Sequence, residues 1–252
     1  MVAGERDLEA LTVVAAIQPV TIAQVSRITG RAYSDARDTL ERLCAGCYAE
    51  VRNQKLGLSP NDPNVYRLTY RGATLLGVTV RPWQGTSDTH VRHEILVRDT
   101  AAWIAAAARH HQLEMPKIKV RGTRLGPITP DAIFDQPIAR DAATGAVRRL
   151  VGLVEADRGT ERGSERWTEK ALGYRELFAA DALEKAVGSA RARILVFAPN
   201  AARIQTLIAL ITKVAPETLR HFWFTGHATL KTADLTRSVW THQATTKPLI
   251  HP

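Results

Sequence analysis

Near the start of the chain Leu8, Leu11, Val14 and Ile17 recur three residues apart, which predicts a helix with one buried stripe. Thr21 followed by Gln24 forms a capping box that opens a second helix, with Ile22, Val25 and Ile28 inward and Gly30 at its end. Ser34 is placed to cap a third helix over 35–45, with Ala36, Leu40 and Leu43 inward and Arg37, Thr39, Glu41 and Arg42 outward. A strand over 48–52, a polar tip over 53–64 and a return strand over 65–68 follow, before Thr69 caps a fourth helix closed by Gly77.

Residues 82–89 are polar and interrupted by Gly85, as a linker would be. Beyond them the pattern predicts a helix (90–111), three strands (116–121, 129–135, 148–157), a helix (165–186), a strand (193–198), a helix (201–214) and a strand (220–225). The expectation is an α/β chain, α+β overall, in two domains, 1–82 and 90–252. The first resembles a winged helix-turn-helix domain, in which the third helix enters the major groove and the hairpin touches backbone. That resemblance implies Arg37, Arg42, Arg52, Asn53 and Lys55 as the residues contacting duplex DNA. Winged helices also dock on proteins, and Asp35, Asp38 and Glu41 on the third helix oppose phosphate.

A formal net charge of +9 and a pI near 9.9 suit a polyanion partner, with nucleic acid the default. Glu5, Arg6, Asp7 and Glu9 interrupt the apolar residues that a signal peptide needs, and the apolar run 101–108 is too short to span a bilayer, so a cytoplasmic protein is expected. Cys44 and Cys47 lack the second pair that would complete a zinc site. They read as small apolar residues closing a helix in a reducing compartment.

Candidate chemistry lies in the second half. Alternation along a strand puts Asp131 on the same face as Asp135, and Glu155 on the same face as Asp157, in strands that are otherwise apolar. Carboxylates emerging there need a cation or hydrogen bonds. A hard ion such as Mg²⁺ takes one or two of them and keeps room for phosphate. Taken singly, each acid is equally a turn residue or a loop cap.

The order helix, three-strand meander, helix, strand, helix, with Pro130-Asp131 and Glu155-x-Asp157, resembles the PD-(D/E)xK restriction-endonuclease-like core with its central mixed sheet. Combined with the first domain, the string from Val154 to Glu161 (VEADRGTE) resembles the replication-relaxation family of plasmids and integrative conjugative elements. The resemblance implies DNA processing in plasmid replication, relaxation or transfer, alongside replication or transfer proteins. It also implies a Mg²⁺- or Mn²⁺-dependent nickase or endonuclease. Glu94 lies on the apolar face of its helix with Val91, Ile95, Ala101, Ala102 and Ala105, and becomes a metal ligand beside Asp131, Glu155 and Asp157; an ion pair with Arg98 is the alternative.

The PD-(D/E)xK motif carries lysine where this chain has Asp157. Lys170, between Trp167 and Tyr174 on the apolar side of the next helix, is a replacement cation, and Arg158 is a second. If Asp157 has retired the site, the domain is a DNA-binding or assembly scaffold and the chain a replication accessory factor or regulator. The histidine-hydrophobe-histidine triplet, the Gly-x-x-x-x-Gly-Lys loop and Gly-x-Ser-x-Gly do not occur. Two-fold dimers are common among winged helices, and Ile204, Leu207, Ile208 and Ile211 form a stripe that suits either a homodimer interface or a core.

Overall fold

The computed structural model describes residues 4–52, 64–79, 88–120, 123–140, 144, 147–159, 165–179, 182–189, 191–231, 240–242, 245–247 and 249. It divides into two compact units, Met1–Ala106 and Ala107–Pro252.

The first unit opens with α1 (Glu5–Ile17), which buries Leu11, Val14 and Ile17. Strand β1 (Val20–Thr21) leads into α2 (Ile22–Thr29), where the Thr21–Gln24 capping box is formed and Gly30 takes the left-handed conformation at the end. Helix α3 (Tyr33–Ala45) starts earlier than the sequence suggests, and its N-cap is Ala32 rather than Ser34. Ala36, Leu40 and Leu43 are inward as expected, but Thr39 is buried too. The hydroxyl lets it lie inside the helix's packed face while accepting a bond from Arg42, 3.1 Å away. Strands β2 (Ala49–Arg52) and β3 (Val65–Leu68) pair antiparallel, and β1 adds to β3, giving the order β1-β3-β2. Helix α4 (Tyr70–Leu76) is capped by Thr69 and ended by Gly77. Gly72 sits so close to the Tyr48 carbonyl that a Cβ would meet it at 2.1 Å. Cys44 is half-buried in the last turn of α3, whereas Cys47 is exposed beyond it, so only the first behaves as a helix-closing apolar residue.

Helix α5 (Asp88–His110) gives most of its length to this unit, although the sequence assigns it to the second domain. The reason is a buried polar clamp. The Arg98 guanidinium donates to the carbonyls of Ile17 (2.8 Å) and Gln18 (3.0 Å), and the Gln24 amide donates to the Ile95 carbonyl (3.1 Å) and to Asp99 (2.9 Å). Backbone carbonyls leaving the end of α1 thus find donors on α5.

The second unit is built on a seven-stranded mixed sheet in the order β10-β9-β8-β7-β6-β5-β4. Its strands are β4 (Lys117–Val120), β5 (Ala132–Arg140), β6 (Val147–Ala156), β7 (Arg193–Ala198), β8 (Phe222–Gly226), β9 (Trp240–His242) and β10 (Thr245–Lys247). The meander β4-β5-β6 is antiparallel, and β6-β7-β8 are parallel. The Phe134 ring lies over Gly152, its directly opposite partner, where a side chain would collide with it. On the other face α6 (Glu165–Ala179) and α8 (Ala201–Val214) cover the sheet, packing Trp167, Tyr174 and Leu177 with Ile133, Leu153, Val196 and Phe224. The predicted helix over 165–186 is two, α6 and α7 (Ala182–Val187). Ile204, Leu207 and Ile211 are buried in this core and Ile208 packs against it, so the stripe on α8 is core rather than a dimer surface. No described helix is long and apolar enough to cross a membrane.

Candidate functional site

Strand pairing builds the site. Asp131 stands just before β5, one residue beyond the last registered pair (Ala132 with Val154), and its N–H donates to the Val154 carbonyl (3.0 Å), which sets it beside Glu155. Directly opposite residues share a face. Ile133, Val151 and Leu153, two or four residues from these acids along their strands and so on the same face, all pack under α6 and α8, which puts Asp131 and Glu155 on the covered side of the sheet.

Glu155 is fully buried. The Lys170 ammonium meets its Oε2, and the Tyr174 hydroxyl donates to its Oε1 at 2.6 Å. Lys170 and Tyr174 are four residues apart on α6 and therefore share a face. Lys170 also lies 5.2 Å from the centroid of the Trp167 ring. Burial pushes the Glu155 carboxyl up to about 7, opposed by Lys170 and reinforced by the Asp131 charge. Burial alone would lower Lys170, but the charges of Glu155 and Asp131 outweigh it and hold the ammonium above its ordinary value. Burial and the Glu155 charge together raise Tyr174 well above the usual phenol, so it remains a donor. Asp131 accepts from the Ala156 N–H at 2.9 Å.

The other acids have their own cations. Asp157 is clamped by Arg203 in the first turn of α8 (2.6 Å to Oδ2, 3.3 Å to Oδ1) and accepts from the Gly159 N–H (3.1 Å). Asp135 pairs with Arg149, whose Nε donates at 2.7 Å. Glu94, in the first unit, pairs with the fully buried Arg98 and lies 3.5 Å from His90. Among the described residues no three His, Cys, Asp or Glu side chains gather as a metal site. The structure therefore brings Asp131, Glu155 and Lys170 together, and gives Asp157 and Glu94 to ion pairs. Both oxygens of the fully buried Glu155 are taken by Lys170 and Tyr174, so a Mg²⁺ ion, which keeps several waters, fits this pair of carboxylates only by displacing those bonds.

Of the two candidate cations, Lys170 is the one that meets Glu155. Tyr174 was legible only as an apolar-face residue, although its spacing from Lys170 is a usable signal. Arg203 gave no signal, because only the parallel pairing of β6 with β7 carries α8 to Asp157. On the first unit Arg37 is held by Asp38 (2.9 Å) and lies 3.8 Å from Glu41, while Arg42 reaches Asp7 (2.9 Å). Arg52 ends β2 and is exposed. Asn53 and Lys55 lie outside the described residues.

No curated protein matches the chain, and no solved structure does. Residues 11–190 match the profile of the family described as replication-relaxation. A match that runs from α1 to beyond α7 takes in the whole Asp131–Glu155–Lys170 cluster, and the chain belongs to the replication-relaxation family.

Proposed function

We propose that the protein processes DNA in the replication, relaxation or transfer of a plasmid or other mobile element. In this reading its first unit is a winged helix-turn-helix DNA-binding domain, and its second a divalent-metal-dependent nickase or endonuclease. The observation that carries the catalytic part is the Lys170 ammonium on Glu155, beside Asp131, which would supply from α6 the cation missing at position 157. Asp131 and Glu155 would hold Mg²⁺ or Mn²⁺, which when bound supplies Lewis acidity for phosphodiester hydrolysis. Lys170 steadies negative charge developing on phosphate. Tyr174 orients Glu155 through its hydroxyl. Asp157 fixes the end of β6 to α8, which holds that end of the strand in place.

A second reading has its own support: both Glu155 oxygens already accept bonds, as a closed scaffold requires. In that case the chain is a non-catalytic DNA-binding accessory factor. Purified protein incubated with supercoiled, single-stranded and branched DNA in Mg²⁺ or Mn²⁺ separates the two. The catalytic reading expects nicking that Asp131→Ala, Glu155→Ala and Lys170→Ala each abolish. No product on any substrate, with no Mg²⁺ or Mn²⁺ binding by calorimetry, selects the scaffold.

A further inference from the structure

The positive charge of the chain is unevenly placed. Residues 107–252 hold 22 Lys and Arg against 14 Asp and Glu, whereas residues 1–106 hold 12 against 11, so +8 of the net +9 belongs to the second unit. In the first unit Arg31, Arg37, Arg42 and Arg67 are all paired with acids, Arg37 and Arg42 on α3 among them. That neutralises the helix expected to read DNA.

The second unit presents a different arrangement. Strand β4 is an outermost strand of the sheet, with Lys117 opposite Asp135 and Lys119 opposite Ile133. Both lysines therefore project on the face that carries Asp131 and Glu155. They are exposed, and neither makes an ion pair among the described residues, because Asp135 is taken by Arg149 on the same face. Lys117 and Lys119 are ~7 Å apart at strand rise, and the next step in the same direction is the row of Asp131 and Glu155. Arg166, one turn before Lys170 on α6, adds its charge at the far end, where it acts on Lys170.

We infer that the edge of the sheet at β4, where Lys117 and Lys119 stand exposed, is the main DNA-binding surface of the chain. Lys117 and Lys119 hold the phosphodiester backbone along the strand that leads toward the row of the Asp131–Glu155–Lys170 cluster, and α3 makes the lesser contribution. The partner is a polyanionic backbone because the side chains are cationic, exposed and spaced along a strand, with no aromatic or amide group among them to read bases. The inference rests on the DNA-processing reading and adds where the DNA lies.

The test is fluorescence anisotropy of the full chain with labelled duplex and single-stranded DNA in EDTA, which keeps binding separate from cleavage. Lys117→Gln with Lys119→Gln should weaken binding roughly tenfold and lower the slope of log K against log salt by about 2. Arg37→Gln with Arg42→Gln should change affinity less than about threefold. Lys185→Gln with Lys213→Gln, exposed lysines elsewhere on the same unit, should do the same. Circular dichroism checks that each variant is folded. Equal losses from the Lys185/Lys213 pair, or a larger loss from the Arg37/Arg42 pair, would overturn the assignment while leaving DNA binding intact. Failure of the unaltered protein to bind at about 50 mM salt would overturn the DNA-processing reading as well.

Discussion

Glu155 shows how one side chain can be legible in type and illegible in state. Its place on the Asp131 face follows from period-two alternation, and Lys170 falls on the inward side of a helix whose stripe is plain in the sequence. What alternation does not carry is pairing one to one: each acid of this face meets its own partner, and that depends on the register between strands. The raised Glu155 carboxyl has a consequence for stability. A folded-state value of about 7 against an ordinary 4.5 favours the protonated form on folding, so the contribution is complete below about pH 4.5 and is lost as pH rises through 7. At ~1.4 kcal/mol per pH unit this amounts to roughly 3 kcal/mol. Urea denaturation between pH 5 and 8 should therefore show the natural protein losing stability more steeply than Glu155→Gln. Parallel curves, or a natural protein that gains stability with rising pH, would mean that Lys170 rather than burial sets the charge of Glu155.

At the scale of elements, α8 and β7 fall where the apolar pattern puts them, because both are long enough to display a period. Strands β1, β9 and β10 were not foreseen; at two or three residues they have no period to read. The anchoring of α8 was hidden for another reason. Asn200 caps the helix, accepting from the Arg203 N–H at 3.0 Å, and Arg203 returns to Asp157 at the end of β6, so one turn is bound to two elements at once. The Asp157 carboxylate is also favourably placed beside a helix N-terminus. Its side chain is fully buried, so removing the cation leaves a buried charge alone. Arg203→Gln should cost about 3 kcal/mol in urea denaturation, and Asp157→Asn added to it should recover part of the loss. A cost below about 0.5 kcal/mol would show the clamp to be dispensable.

For the whole molecule, the sequence separated two units but drew the line before α5. The pattern sees a polar stretch at 82–89; it does not see that carbonyls at the end of α1 require donors from Arg98. A fragment ending at residue 83 lacks those donors and the partners of Gln24. A fragment ending at residue 110 should accordingly be the more stable in urea by about 3 kcal/mol, and equal midpoints would refute the clamp's importance. The net charge of +9, as a sum over the chain, carries no position; counted by unit, +8 of it belongs to the second. One further consequence belongs to β4. As an outermost strand it turns one row of backbone donors and acceptors away from the sheet, the arrangement through which sheets of separate molecules join into aggregates. Two lysines in four residues guard that border, since stacking a copy of the strand alongside would crowd like ammonium groups together. The charges proposed to draw in a polyanion would thus also oppose the pairing of this strand with a copy of itself.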